Sequence, residues 1–318
     1  MLAALTQMDF AMSDLPPPAA PAPANTSPGI PALSRFDTLP FTVSLRRVNL
    51  AVGYTAALLP LAVWLPGALL GTCRQNNGLD SISHYYYSPI GGDLFVGALC
   101  LIGALMLFFF TIPEDADTVE RMSQVDEFRR FTQRDLWLAK IAGVMAFVIA
   151  LVPTDGSGCF LSEDAMRGYF VIPADFGLFG PGTQTLDQVI VAFDLSAISG
   201  VPWTSTLHGL AAGVMFAILG YFSLFVFTRV QSHKSMRTAT STGQRKKIRN
   251  VIYVVSGVVI YATILALLFK KIACTGAADC AYDASNFTFW AETLALLAFG
   301  FSWLTKGRFI RWLADEPD

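Results

Sequence analysis

Long apolar runs separated by shorter polar segments dominate the pattern of this chain. Six runs are long enough to cross a membrane, and they cover 48–70, 94–112, 136–152, 207–230, 251–269 and 287–304. A helix needs about 20 mostly apolar residues to cross a hydrocarbon core of about 30 Å. Only helices or closed barrels satisfy their backbone groups in lipid, and unbroken runs such as 105–110 lack the alternation of a barrel. The pattern predicts an all-α fold, a six-helix transmembrane bundle over 46–312.

The segments outside the bundle are polar or rich in proline. Proline, alanine and serine dominate the stretch from Pro16 to Pro40. Such a composition buries too little apolar surface to offset the entropy of ordering, so we expect 1–45 to be a disordered cytoplasmic arm. The last residues, 313–318, are expected to form a short cytoplasmic tail.

Composition agrees with a lipid environment, since 53% of the residues are hydrophobic and only 14% are charged. Soluble domains carry about 25% charged residues. No long basic or acidic tail indicates a nucleic-acid partner. We therefore expect membrane lipids, and no nucleic acid, as partners.

The distribution of basic residues predicts the orientation of the spans. Seventeen of the 22 Lys and Arg residues lie on one side of the predicted membrane, before the first span, in or beside two loops, and just after the sixth span. Positive residues concentrate on the cytoplasmic side of spanning helices. Both termini are therefore expected in the cytoplasm. Lys140 is the exception within a span, and we interpret it as an interfacial anchor.

Four of the five cysteines fall in the predicted outer loops. They are Cys73, Cys159, Cys274 and Cys280, whereas Cys100 lies in the second span. Exported compartments are oxidising, so an even number of thiols favours disulfides. Of the three pairings that four cysteines allow, we favour Cys73–Cys159 and Cys274–Cys280. The alternative is two or more free structural thiols.

Groups that bind protons or metals gather at the outer level of the predicted bundle. These are His84, Asp93, Asp155, His208 and Glu292. Ionisable groups at membrane depth are costly and usually face a bundle interior or a wet cavity. Glu292 is the most informative, because its sequence neighbours offer no partner and it must be protonated or paired across the bundle.

We expect His208 to be the partner of Glu292 if the fourth and sixth spans touch. Gly209 and Gly213 stand four residues apart beside His208, and small residues at this spacing allow close helix approach. This spacing alone is a weak signal.

Three hypotheses explain the cluster. The first is a hydrogen-bonded polar plug that fixes the helix register. The second is a metal or acid–base site in which His84, Asp93, His208 and Glu292 are metal ligands, with Zn²⁺ the best-suited ion, and Glu292, His208 and Asp93 are the catalytic candidates. The third is a proton or solute pathway, although almost no ionisable residue lies below Glu292.

Enzyme motifs are missing from the chain, which has no Walker loop, no dinucleotide-binding glycine motif and no nucleophile elbow. The sequence therefore favours a protein that is not an enzyme. We expect an integral inner-membrane protein with a structural or sensory role. The alternatives are a membrane-embedded metal-dependent hydrolase acting on lipid at the outer leaflet and, third, a proton-coupled transporter.

Two loops stand out by length and charge. The outer loop 153–206 is too long for a simple connector and rich in aromatic residues, so we expect it to fold as a cap. The inner segment from Arg229 to Arg249 carries seven basic residues and no acidic one. It is expected to contact anionic headgroups, each basic residue near the surface contributing about 1 kcal/mol.

Four short motifs carry a family resemblance. They read Ser-His-Tyr-Tyr at 83–86, Asp-Leu-Phe-Val-Gly at 93–97, Tyr-Phe-Ser-Leu-Phe at 221–225 and Ala-Phe-Gly-Phe-Ser-Trp at 298–303. With them, most of the chain after Arg46 resembles a family of uncharacterised bacterial polytopic membrane proteins of about six spans. The resemblance implies residence in the bacterial inner membrane and supports the span number. It implies no catalytic residue, because the family has no assigned activity.

Overall fold

The described part of the chain comprises residues 44–70, 81–110, 131–152, 154, 169–171, 189–191, 204–229, 236–238, 241–274, 282 and 285–314 of a computed structural model. All of these residues belong to one compact unit, Val43–Asp318. The predicted arm, most of the outer loop 153–206 and most of the tail lie outside the described residues, so those expectations stay predictions.

Six long helices form the described part of the chain, and each coincides with one predicted span. They are α1 (Leu45–Leu70), α2 (Pro89–Ala104), α3 (Gln133–Leu151), α4 (Thr204–Tyr221), α5 (Gln244–Ala273) and α6 (Phe287–Lys306). Two π turns, Leu105–Phe109 and Phe222–Val226, continue α2 and α4. Two 3₁₀ helices, Ile82–Tyr87 and Arg311–Leu313, precede α2 and follow α6.

Two small antiparallel pairs were not predicted. Strand β1 (Tyr169–Val171) pairs with β2 (Val189–Val191), and β3 (Met236–Thr238) pairs with β4 (Ser241–Thr242). They lie in the predicted outer loop and in the predicted basic inner loop. Their three residues or fewer per strand leave the helical class of the fold unchanged.

The helices pack as a closed ring in chain order, each against its sequence neighbour, with α6 packed against α1. At one end, Arg46 at the start of α1 donates to the carbonyl of Gly307 just after α6, at 3.1 Å. Near the opposite end, Glu292 of α6 accepts a hydrogen bond from Ser81, just before α2. Successive helices therefore run up and down, and the first and last helices meet at one end.

Glycines permit close approach at three alternate interfaces of this ring. A Cβ atom would lie 3.0 Å from a backbone oxygen at Gly53, 2.9 Å at Gly143 and 3.2 Å at Gly257. In each case, that oxygen belongs to a glycine of the facing helix. The facing pairs are Gly53 with Gly300, Gly103 with Gly143, and Gly220 with Gly257. Small residues let helices pack tightly in lipid, where the hydrophobic effect does not drive helix association.

The close approach predicted at Gly209 and Gly213 is wrong. A Cβ atom built at either position would have no described neighbour within 4 Å. These glycines therefore face away from the neighbouring helices, and the spacing of four residues did not indicate which face of α4 packs.

The same three helix pairs share a second feature at the end of the ring where α1 begins. We call this the inner end and the opposite end the outer end, as labels only. In each pair, a basic side chain of one helix donates to a backbone carbonyl at the end of its partner. The bonds run from Lys140 to Leu107 (2.9 Å), from Lys246 to Phe227 (2.6 Å) and from Arg46 to Gly307 (3.1 Å). Helix ends leave carbonyls without intrahelical donors, so these cations act as caps. Lys140 is thus a cap for the segment that continues α2, and its interpretation as an interfacial anchor stays a prediction.

Within the residues that the structure describes, five helical segments are long and apolar enough to cross a membrane. These are Leu45–Leu69, Ile90–Phe109, Thr206–Val226, Gln244–Ala273 and Phe287–Lys306, and they give the chain the build of a multi-pass helical membrane protein. Helix α3 is not among them. It carries three charged residues, Arg134, Asp135 and Lys140, within its 19 residues.

Candidate functional site

Glu292 lies in the second turn of α6 and is bound by the start of the 3₁₀ helix Ile82–Tyr87. The Ser81 hydroxyl lies 2.9 Å and 2.8 Å from the two carboxylate oxygens, and the backbone N–H of Ile82 donates to Oε2 at 2.7 Å. Ser81 also caps the 3₁₀ helix, because its hydroxyl accepts from the N–H of Ser83 at 3.1 Å. One serine thus shapes the turn and binds the carboxylate.

His208, in the second turn of α4, binds the same short segment from the other side. Its Nδ1 lies 2.7 Å from the carbonyl of Val152 at the end of α3, and its Nε2 lies 2.9 Å from the Ser83 hydroxyl. A carbonyl only accepts, so Nδ1 carries the proton. In the neutral ring Nε2 then accepts from Ser83. Only 4% of His208 is exposed.

The expected direct contact between His208 and Glu292 is replaced by a bridge. Both side chains bind the segment 81–83, Glu292 through Ser81 and Ile82, and His208 through Ser83. The two serines were not predicted as part of the cluster. A serine N-cap signal could have found Ser81, which caps the 3₁₀ helix Ile82–Tyr87, because serine is favoured at helix starts. No comparable sequence signal points to Ser83.

The 3₁₀ helix that carries this segment is itself packed into the bundle. Its three tyrosines, Tyr85, Tyr86 and Tyr87, are at most 3% exposed. The Tyr85 ring lies 6.1 Å from that of Phe289 on α6, and the Tyr87 hydroxyl donates to the carbonyl of Thr154. We call residues 81–88 the roof segment, because they cover the outer end of the ring.

A cavity of about 40 Å³ lies beneath the roof segment. Residues of α1, α2, α3, α4 and α6 contribute to its wall, which is apolar except for the side chains of Ser83 and Glu292. One water needs about 10–15 Å³, so the space admits more than a single water molecule. The candidate site therefore combines the partly buried carboxylate of Glu292 with a small, mostly apolar cavity.

The four predicted metal ligands do not come together. Asp93 is exposed on the surface of α2, and both nitrogens of His208 are already used by Val152 and Ser83. Within the part of the chain that the structure describes, no three His, Cys, Asp or Glu side chains are grouped to hold a metal ion. A Zn²⁺ site built from His84, Asp93, His208 and Glu292 therefore finds no support in the described geometry.

The cysteines are described only in part. Cys274, at the outer end of α5, is disulfide-bonded, and Cys100 is a free thiol. The pairings Cys73–Cys159 and Cys274–Cys280 stay predictions, and Asp155 also lies outside the described residues.

A second polar network occupies the opposite end of the bundle and was not predicted. Arg229, after α4, forms an ion pair of 2.6 Å with Asp135 in the first turn of α3, and Asp135 is fully buried. The Tyr221 hydroxyl joins both residues at 3.2 Å. A capping box between Thr132 and Asp135 starts the helix. This network ties the inner ends of α3 and α4 together.

The predicted basic surface from Arg229 to Arg249 is therefore partly internal. Arg249 is fully buried and donates to the carbonyl of Leu313, and Lys246 is 5% exposed. Arg245 and Lys247 are exposed. The sequence alone could not distinguish the buried cations from the exposed ones, because both kinds lie next to each other in one basic run.

Comparison with known proteins adds no relative, because no family model, curated protein or solved structure matches the chain. The resemblance to a family of polytopic bacterial membrane proteins thus stays a prediction, and the site described above rests on its own geometry.

Proposed function

We propose that the chain is an integral protein of the bacterial inner membrane with six spans, both termini in the cytoplasm, and a structural or sensory role. In this proposal the outer polar cluster is a plug that holds the roof segment on the bundle. The observation that carries it is that Glu292 and His208 both direct their hydrogen bonds to residues 81–83. Because these bonds join α4 and α6 to the segment that leads into α2, they fix the positions of the three helices along one another.

We propose α3 as the third span, in addition to the five apolar segments, because its charges lie towards its inner end. Asp135 pairs with Arg229, and Lys140 caps Leu107, so both charges have partners within the protein. The rest of the helix to Leu151 is apolar. Paired charges near a helix end cost far less in lipid than isolated ones at its centre.

The orientation proposal rests on two independent properties of the sequence, the basic residues of the inner side and the cysteines of the outer side. The oxidised state of Cys274 fits an exported location, since disulfides persist in oxidising compartments. Within the proposal, anionic headgroups contact the exposed cations Arg245 and Lys247, in place of the whole basic segment.

Reporter fusions test the proposed topology. A fluorescent protein fused after Asp318 should fluoresce, and alkaline phosphatase inserted between 182 and 183 should be active in the periplasm. Active phosphatase at the C-terminus would contradict the orientation. Inactive phosphatase between 182 and 183, with a fluorescent protein in the 111–130 loop still fluorescing, would contradict the third span.

Replacement of the plug residues tests their role. We expect His208→Ala and Glu292→Ala each to lower folded yield and the melting temperature in detergent, since each leaves buried polar partners unsatisfied, which costs about 1–3 kcal/mol. Asp93→Ala is the matched control, because Asp93 is an exposed acid at the same end. Bound metal is measured in parallel by mass spectrometry.

The result discriminates the proposal from its alternatives. Metal present in the parent and lost from the variants at unchanged yield would favour the hydrolase. Unchanged yield and unchanged metal would exclude every role for the cluster.

A further inference from the structure

We propose that the cavity beneath the roof segment binds a small protonated amine, of which ammonium is the smallest. The inference deepens the sensory role proposed above and rests on it. It starts from the two polar side chains of the cavity wall, Ser83 and Glu292, which offer acceptors and no donor.

The proton of the Ser83 hydroxyl is already used in a hydrogen bond to His208. Because His208 Nδ1 donates to the carbonyl of Val152, Nε2 accepts, and the Ser83 hydroxyl donates to it at 2.9 Å. The oxygen of Ser83 is then left as an acceptor towards the cavity that it lines. A ligand that fills the cavity must therefore bring the donor.

Glu292 offers the second acceptor and the charge. Its Oε1 receives the Ser81 hydroxyl at 2.9 Å, and a carboxylate oxygen has capacity for about two such bonds. Lys270 attracts the carboxylate electrostatically, and its ammonium group also donates to the hydroxyl of Thr288 at 2.6 Å. Glu292 is only partly exposed, and a carboxylate that has lost part of its water is stabilised by a cation bound next to it.

The remaining wall selects the kind of cation. Phe95, Phe216 and Met215 line the cavity with two aromatic rings and a thioether. Aromatic faces attract ammonium-type cations, whereas Mg²⁺ and Ca²⁺ require six or more oxygen ligands that two side chains do not supply. The volume of about 40 Å³ admits a ligand of the size of ammonium or methylammonium.

Thermal unfolding of the purified protein in detergent tests the site. The probes are ammonium, methylammonium, sodium and tetramethylammonium chlorides at equal ionic strength and fixed pH. We expect the first two to raise the melting temperature by several degrees and the other two to leave it unchanged, because a ligand that binds only the folded state stabilises it. Tetramethylammonium is the matched control, since it carries the charge without an N–H donor.

Two variants locate the effect. Glu292→Gln keeps the shape of the side chain but removes its charge, and should weaken the apparent affinity for ammonium at least tenfold. Ala212→Met should fill the cavity while leaving the carboxylate in place, and should abolish the ammonium shift even if Glu292→Gln fails to fold. Asp93→Asn, which removes an exposed charge from the same end, should respond like the parent protein.

Equal shifts from sodium and ammonium, or a shift that survives in Ala212→Met, would overturn the proposal. No shift with any cation would also overturn it, while leaving the topology and plug proposals intact, since those are judged by reporter activity and folded yield. A melting temperature that responds to pH alone, and not to ammonium, would assign Glu292 a proton instead of an amine.

Discussion

At the residue scale, the structure separates charges that look alike in the sequence. Asp93 and Asp135 are both single acids near the start of an apolar run, yet Asp93 is exposed and Asp135 is fully buried. The difference arises from a residue 94 positions away, because Arg229 reaches Asp135 from the end of α4. Local sequence carries no information about such a partner.

Removing Asp135 should therefore be far more damaging than its place at a helix start suggests. Asp135→Ala leaves Arg229 without its ion pair and removes the acid of the capping box, and we expect a loss of about 3 kcal/mol in the free energy of unfolding. Denaturation by sodium dodecyl sulfate from mixed micelles measures it. Gln133→Ala, an exposed position in the same turn, should change stability by less than about 0.5 kcal/mol. Equal losses in the two variants would contradict the structural role of the ion pair.

At the element scale, the existence and order of the helices were predictable, whereas their contacts were not. The length of an apolar run is a local property, and all six predicted spans correspond to helices. Which face of a helix packs depends on its neighbours, so Gly213 looked like a contact residue and is not one, while Gly143 was overlooked. The π turns and their lysine caps were missed for the same reason.

The contrast between these two glycines makes a matched pair of substitutions. A Cβ atom at Gly143 would lie 2.9 Å from the carbonyl of Gly103 and 3.0 Å from the amide of Leu107, and neither backbone atom is free to move. We expect Gly143→Ala to destabilise the protein by about 1–3 kcal/mol through overpacking. Gly213→Ala, with open space around it, should be neutral or gain about 0.5–1 kcal/mol from lower chain entropy. The melting temperatures of the two variants in detergent test this expectation. A lower value for Gly213→Ala than for Gly143→Ala would contradict the assigned packing faces.

At the scale of the whole molecule, the ring is built from three similar helix pairs, α2 with α3, α4 with α5, and α6 with α1. Each pair has a glycine crossing and a basic side chain that caps a carbonyl at the inner end. The third pair has no covalent link at that end, since its helices come from opposite ends of the chain. A chain break is thus tolerated at the inner end of one pair, where Arg46 and Gly307 are joined by a hydrogen bond.

A circular permutant tests this equivalence and the number of spans together. The permutant would join 314 to 44 through a flexible linker of about eight residues and would begin and end within 111–130. Because the new break lies at the inner end of another pair, we expect this permutant to insert, to fold and to melt within a few degrees of the parent protein.

A permutant opened in 275–281, between α5 and α6 at the outer end, would have to export both termini, and cytoplasmic termini are favoured by the basic residues around them. We therefore expect the inner permutant to insert and the outer one to fail. An odd number of spans would place the ends to be joined on opposite sides of the membrane, and the inner permutant would then fail as well.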